Sequence, residues 1–102
     1  MNQSLLTSLL SDAKLRLGVH TDVFDSEISD LINAAITDLL RLNAVQESQL
    51  EGVEIDPLIK MAIMTFVKAH YRYTDNAEQF KADYESQKTM LMMTSGYTDW
   101  EA

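Results

Sequence analysis

The stretch DPLIKMAIMTFVKAHYRY, residues 56–73, constrains this chain more than any other. Asp56 offers a side-chain oxygen to cap a helix. Pro57 follows at the first helical position, where a missing N–H costs nothing. From there Leu58, Ala62, Phe66, Ala69 and Tyr73 mark one side of a helical wheel, and Ile63, Val67 and Tyr71 carry apolar surface round to another. Only Lys60, Lys68 and Arg72 interrupt with charge. A helix apolar over most of its circumference is central to a core or trapped between subunits. Something else in the chain, or in another copy, has to cover it.

The rest of the sequence supplies three more helices. A first is expected from about Ser4 to Leu17, with Leu5, Leu6, Leu9, Leu10, Ala13 and Leu17 at helical spacing. Ser4 or Ser8 could cap its start, and Gly18 stands where a C-terminal cap belongs. A second is expected over about 23–43. Its stripe is Phe24, Ile28, Leu31, Ile32, Ala35, Ile36, Leu39 and Leu40, with Asp30, Asn33, Thr37 and Arg41 opposite. Thr21 or Asp22 is a candidate N-cap there, and Asn43 can take the left-handed conformation that ends a helix. Asp75 and Glu78 have the spacing of a capping box for a final helix, whose narrow stripe is Phe80, Tyr84, Gln87 and Leu91. Ser95 and Gly96 predict its end. Between the second and third helices lies AVQESQLEGVEID, residues 44–56. It is acidic, without clear periodicity and long for a linker inside a bundle, with room for a short strand or helical turn at 52–55.

These elements amount to an all-α fold: a compact bundle of about four helices, a long acidic loop between helices 2 and 3, and a short C-terminal tail. The domain organisation expected is one helical domain over residues 1–96 with a tail at 97–102. A chain of 102 residues can bury roughly 60–70% of its unfolded surface, enough for one core. Three glycines and one proline leave little punctuation for many short strands. Without cysteine there is neither a disulfide framework nor a thiolate metal site. The N-terminal residues lack the basic leader and apolar run of a signal peptide or membrane anchor, so a reducing cytoplasm and no membrane are expected. Sixteen acids against eight bases give a net charge of −8. That balance argues against gripping a phosphate backbone, though an acidic wall could let a duplex slide past without sticking.

Catalytic chemistry has little to work with, so no catalytic, cofactor-binding or metal-binding residue is expected and the chain is read as no enzyme. His20 and His70 sit in different elements, and His70 beside Tyr71 and Tyr73 reads as a core or boundary histidine. No metalloprotease, nucleophile-elbow, phosphate-loop or calcium-loop motif occurs. The pairs Asp83/Glu85 and Asp22/Asp25 read as solvated faces and helix starts. Protein contact is better supplied. Met64, Val67 and Tyr71 widen the apolar surface of helix 3. Lys68 and Arg72, one turn apart on it, either snorkel and pair with acids of helix 2 or form a small basic patch for a neighbour. Met90, Met92 and Met93 surround the last turns of helix 4, and Tyr97 and Trp100 lie beyond it. Methionine adapts to partners, and Tyr and Trp are frequent interface anchors. These ten residues are the candidate protein interface. The competing account has the methionines and aromatics folding back over the end of the bundle, or the tail disordered.

Taken in order, LLSDAKLRLGV, FDSEISDLINAAITDLL, DPLIKMAIMTFVKAHYRY, QKTMLMM and SGYTD resemble the tailed-phage head-tail connector family, the small adaptors that attach below the portal. The resemblance spans roughly residues 5–98 and rests on packing patterns instead of catalytic motifs. The length of the acidic 44–56 connection departs from it. The resemblance implies a helical head-completion adaptor of a phage or prophage. Such a subunit forms a homo-oligomeric ring beneath the portal protein, extends the DNA exit channel and docks the next neck or tail completion protein. DNA would pass without specific binding. The protein would reside in the host cytoplasm during assembly and then in the virion neck. A different class stays open beside it: an acidic helical inhibitor or immunity-type protein, suggested by the acid-rich, base-poor clusters at 22–38 and 47–56.

Overall fold

A computed structural model of the chain describes residues 3–52, 54–72 and 75–101, with only the backbone described for 94–101. Four α-helices account for the architecture: α1 (Gln3–Leu17), α2 (Asp25–Arg41), α3 (Pro57–His70) and α4 (Ala77–Glu101). No strand occurs among the described residues. The chain is an all-α bundle, as its periodicities predict.

The over-apolar segment becomes the central helix. α3 packs against α4, α2 and α1, most extensively against α4. Ile59, Ala62, Ile63, Met64, Val67 and Ala69 are its buried residues. They meet Leu5, Leu9 and Ala13 of α1, Ile28, Ile32, Ala35, Ile36 and Leu39 of α2, and Tyr84 and Leu91 of α4 in one core. Each partner helix turns a single apolar stripe inward, so only α3 has to be apolar on several sides. Its start follows the sequence signal: Asp56 accepts a hydrogen bond from the Leu58 N–H at 2.7 Å, and Pro57 occupies the first turn.

Helices α1 and α2 end alike. At the first, Gly18 has φ +72°, its N–H reaches the Leu15 carbonyl at 3.3 Å, and the Val19 N–H reaches that of Lys14 at 2.9 Å. At the second, Asn43 has φ +58°, and the Asn43 and Ala44 N–H groups reach the Leu40 and Leu39 carbonyls at 3.1 and 2.9 Å. Both are six-residue left-handed caps that satisfy otherwise orphaned carbonyls.

Several boundaries differ from expectation, each for a local reason. α1 already includes Ser4, beginning at Gln3. α2 starts at Asp25 with Phe24 at the cap position and no side-chain capping bond. Neither Thr21 nor Asp22 caps it. Asp22 is held by Lys14 at 2.7 Å, and Thr21 Oγ1 accepts from the Val23 N–H at 3.3 Å. α3 stops at His70 and not near Tyr73. Tyr71 is extended and Arg72 turns to φ +43°, which sets Tyr71 edge-on to Phe24 and Arg72 over the same ring. α4 starts at Ala77, after Asn76 at φ +62°, and not at the expected Asp75. It also passes through Ser95 and Gly96 to Glu101, so no helix end falls there.

The acidic connection is folded. Its helical turn lies at Glu47–Leu50, ahead of the expected 52–55, as a short 3-10 helix. The Gln46 N–H donates to the Gln49 side chain at 2.8 Å to cap it. Ala44, Val45 and Leu50 drop into the core while the acids around them stay in solvent. Among the described residues no helix is long and apolar enough to cross a membrane.

Candidate protein-interaction site

Three of the four helices frame a concavity. α2 and α4 both lean on α3, but they do not pack on one another to a comparable extent, and a groove of about 560 Å³ runs between them. Phe66 of α3 forms its floor with Tyr84 of α4, ring centroids 5.1 Å apart and nearly perpendicular. Arg41 and Asp38 rise on the α2 side, and Lys81, Glu85 and Lys88 on the α4 side. His70 stands at the open end, its ring 4.3 Å from that of Phe66.

A polar clasp spans the groove. The Tyr84 hydroxyl donates to Asp38 Oδ2 at 2.6 Å, and Lys88 Nζ donates to the same oxygen at 3.0 Å and to Glu85 at 3.1 Å. Arg41 holds the other Asp38 oxygen at 3.3 Å. Burial opposes the charge on Asp38, but the bonds from Tyr84 and Lys88 outweigh it and hold the carboxyl below its ordinary range. Burial likewise opposes the charge on Lys88, and the bonds to Asp38 and Glu85 overcome it and raise the ammonium pKa. Burial, then the Asp38 bond, pushes the Tyr84 phenol well above its usual value. At His70, burial and then nearby Lys81 lower the imidazole pKa. The clasp was missed from sequence. Its available signal was Tyr84 and Lys88 one turn apart on α4, facing an acid beside the buried Leu39.

The ten candidate interface residues fall into three groups. Met64 and Val67, 3% and 1% exposed, belong to this chain's own core. Lys68, Tyr71 and Arg72 are engaged internally but partly exposed. Lys68 lies over the Phe80 ring at 5.6 Å, and Arg72 pairs with Glu27 of α2 at 3.1 Å while stacking on Phe24. Pairing with an acid of helix 2 is the first of the two roles foreseen for Arg72. Met90, Met92 and Met93 are open, the first and last 62% and 69% exposed. Met90 joins Leu58 and Met61 of α3, both about half exposed, around an apolar hollow backed by Leu91 and Gln87. The side chains of Tyr97 and Trp100 lie outside the described residues.

Of the residues considered for chemistry, His70 and Glu85 line one groove, and His20, Asp22, Asp25 and Asp83 are not among its lining residues. Asp22 and Asp25 both hold Lys14, at 2.7 and 2.9 Å, and His20 is on the surface. No group of three or more His, Cys, Asp or Glu able to hold a metal ion occurs among the described residues. What the surface offers is a clasped groove with a cationic rim, and a methionine-rich flank where α4 outruns α3.

Comparison with curated proteins and with solved structures gave no match. A family model described as phage connector protein matches residues 9–98, reaching from the middle of α1 almost to the end of α4.

Proposed function

The chain belongs to the phage connector protein family, and on that premise we propose that it is a head-tail connector subunit that forms a ring beneath the portal. As a phage structural connector it works by contact with other virion components. The proposed ring extends the DNA exit channel and presents a surface to the next neck or tail protein. Assembly takes place in the host cytoplasm, and the finished ring sits in the virion neck.

The observation that carries this reading is the family match across nearly the whole bundle. Two physical features support it. The net charge of −8 suits a channel wall that a duplex must pass without binding, since phosphate contacts need Lys and Arg. The exposed methionines and Leu58 form an apolar flank of the kind that marks protein contact. The role is structural, without catalysis or a bound cofactor.

The test is mass in solution, by light scattering, for the purified chain alone and with its portal. A multi-copy assembly on the portal is expected. A chain that stays monomeric at high concentration and ignores the portal overturns the proposal.

A further inference from the structure

The groove between α2 and α4 has a floor of two aromatic rings and a rim carrying three cations, Arg41, Lys81 and Lys88, against two carboxylates, Asp38 and Glu85. Both carboxylates are engaged, Asp38 by Tyr84, Lys88 and Arg41, and Glu85 by Lys88. Arg41 and Lys81 still keep 73% and 46% of their side chains in solvent, Arg41 beside Asp38 and Lys81 at 3.6 Å from the exposed Glu78. On an acidic protein this rim gathers three cations beside one partly exposed aromatic ring, Phe66. The ligand that fits it is an aromatic ring flanked by carboxylates: the ring stacks on the floor and against the cations, and the carboxylates meet the guanidinium and ammonium groups.

The chain carries such a segment. Residues 97–101 read Tyr, Thr, Asp, Trp, Glu, two aromatics and two acids without a base. Two other stretches that join a ring to acids are already engaged in the fold. Phe24, among Asp22, Asp25 and Glu27, packs against the core, and Tyr84, between Asp83 and Glu85, is buried. Nor can a molecule fill its own groove with 97–101. α4 is one unbroken helix from Ala77 to Glu101, and the groove lies along its first half, ending near Lys88. At 1.5 Å per residue, Tyr97 lies about 14 Å and Glu101 about 20 Å farther along the axis, directed away from the groove. The matching groove therefore belongs to another molecule.

We propose that residues 97–101 of one copy seat in the groove between α2 and α4 of a second copy, with Trp100 on the exposed part of the Phe66 ring and Asp99 and Glu101 against Arg41 and Lys81. This rests on the connector reading and gives its ring a contact. A donor end and an acceptor groove on different surfaces make a heterologous interface, which repeats head to tail and closes when the rotation allows. The cationic rim confers direction, since one acidic end repels another.

The absence of cysteine makes the test clean. Thr37, exposed on the groove wall, and Ala102, next to the donor segment, are each replaced by cysteine, singly and together, in the full chain, with folding checked by circular dichroism. After mild oxidation the double variant T37C/A102C should give a ladder of covalent multimers on a denaturing gel. An equimolar mixture of the two single variants should give a cross-linked heterodimer. Adding R41E and K81E to the groove chain, or W100A to the donor chain, should cut that heterodimer yield about tenfold, as loss of an interface anchor does. Internally closed monomers, or a ladder indifferent to R41E, K81E and W100A, overturn the proposal. So does a wild-type chain that assembles on the portal while no cross-link forms, and the connector reading then survives. A wild-type chain that never assembles overturns both.

Discussion

At the scale of single residues, Asp38 is the most consequential side chain on the surface of the bundle. It anchors Tyr84 and Lys88 across a groove whose two walls both pack on α3. Replacing it by alanine leaves Lys88, 8% exposed, with Glu85 as its remaining carboxylate, and strips the Tyr84 hydroxyl of its acceptor. Asp38→Ala should cost about 1–3 kcal/mol in urea denaturation, and adding Lys88→Met should recover part of that by removing the stranded charge. The pH dependence has a defined sign. A carboxyl held below its ordinary value of 3.8 contributes stability that is present above that value and lost as pH falls through the lower folded value. The urea midpoint of the wild type should therefore fall below about pH 4 more steeply than that of Asp38→Asn, which has no such proton to take up. Little of this cluster was readable in the chain. Asp38 looks like any acid at the edge of an amphipathic stripe, and only the crossing of α2 and α4 over α3 brings it to Tyr84. The interface residues divide on similar grounds. Exposure at Met90 and Met93 follows from a stripe too narrow to reach them. Burial of Met64 and Val67 depends on which helix covers α3, a fact periodicity does not contain.

At the scale of elements, local chemistry spoke clearly wherever the backbone itself imposed a demand. Asp56 with Pro57, Gly18 and Asn43 all mark real helix ends, because a cap needs a particular side chain or a left-handed φ. Gly18→Ala should cost about 1 kcal/mol in thermal denaturation from backbone strain alone, since a Cβ there would meet nothing within 4 Å. Where tertiary contacts outbid local preference, the boundaries moved. α3 gives up its last expected turn so that Tyr71 and Arg72 can reach Phe24, and Asp22 leaves the cap position for Lys14. The 44–56 connection is the clearest case. Its acids hid a pattern of three apolar anchors, Ala44, Val45 and Leu50, too irregularly spaced to read as a helix or a strand. Leu50→Ala should cost about 2–4 kcal/mol, measured by urea denaturation, showing the connection to be part of the core and not a tether.

At the scale of the whole molecule, stability and assembly rest on different parts. The core draws on all four helices, and among the described residues on α4 through Tyr84 and Leu91. Removal of residues 97–102 should leave the melting temperature within about 2 °C of wild type, a shift worth less than about 0.5 kcal/mol, while weakening assembly on the portal in a co-sedimentation assay. Matching losses of both would place the end of α4 in the fold itself. The central position of α3 has a further consequence, for the order of events during synthesis. α1 and α2 expose apolar stripes that have nowhere to pack except each other until residues 57–70 leave the ribosome. The first half of the chain is thus an unfinished sandwich, and a nascent subunit becomes cohesive only after more than half of it has been made. A subunit timed in this way offers no finished face to its neighbours while still tethered to its messenger. Pairing is postponed until the partner helix has closed the fold.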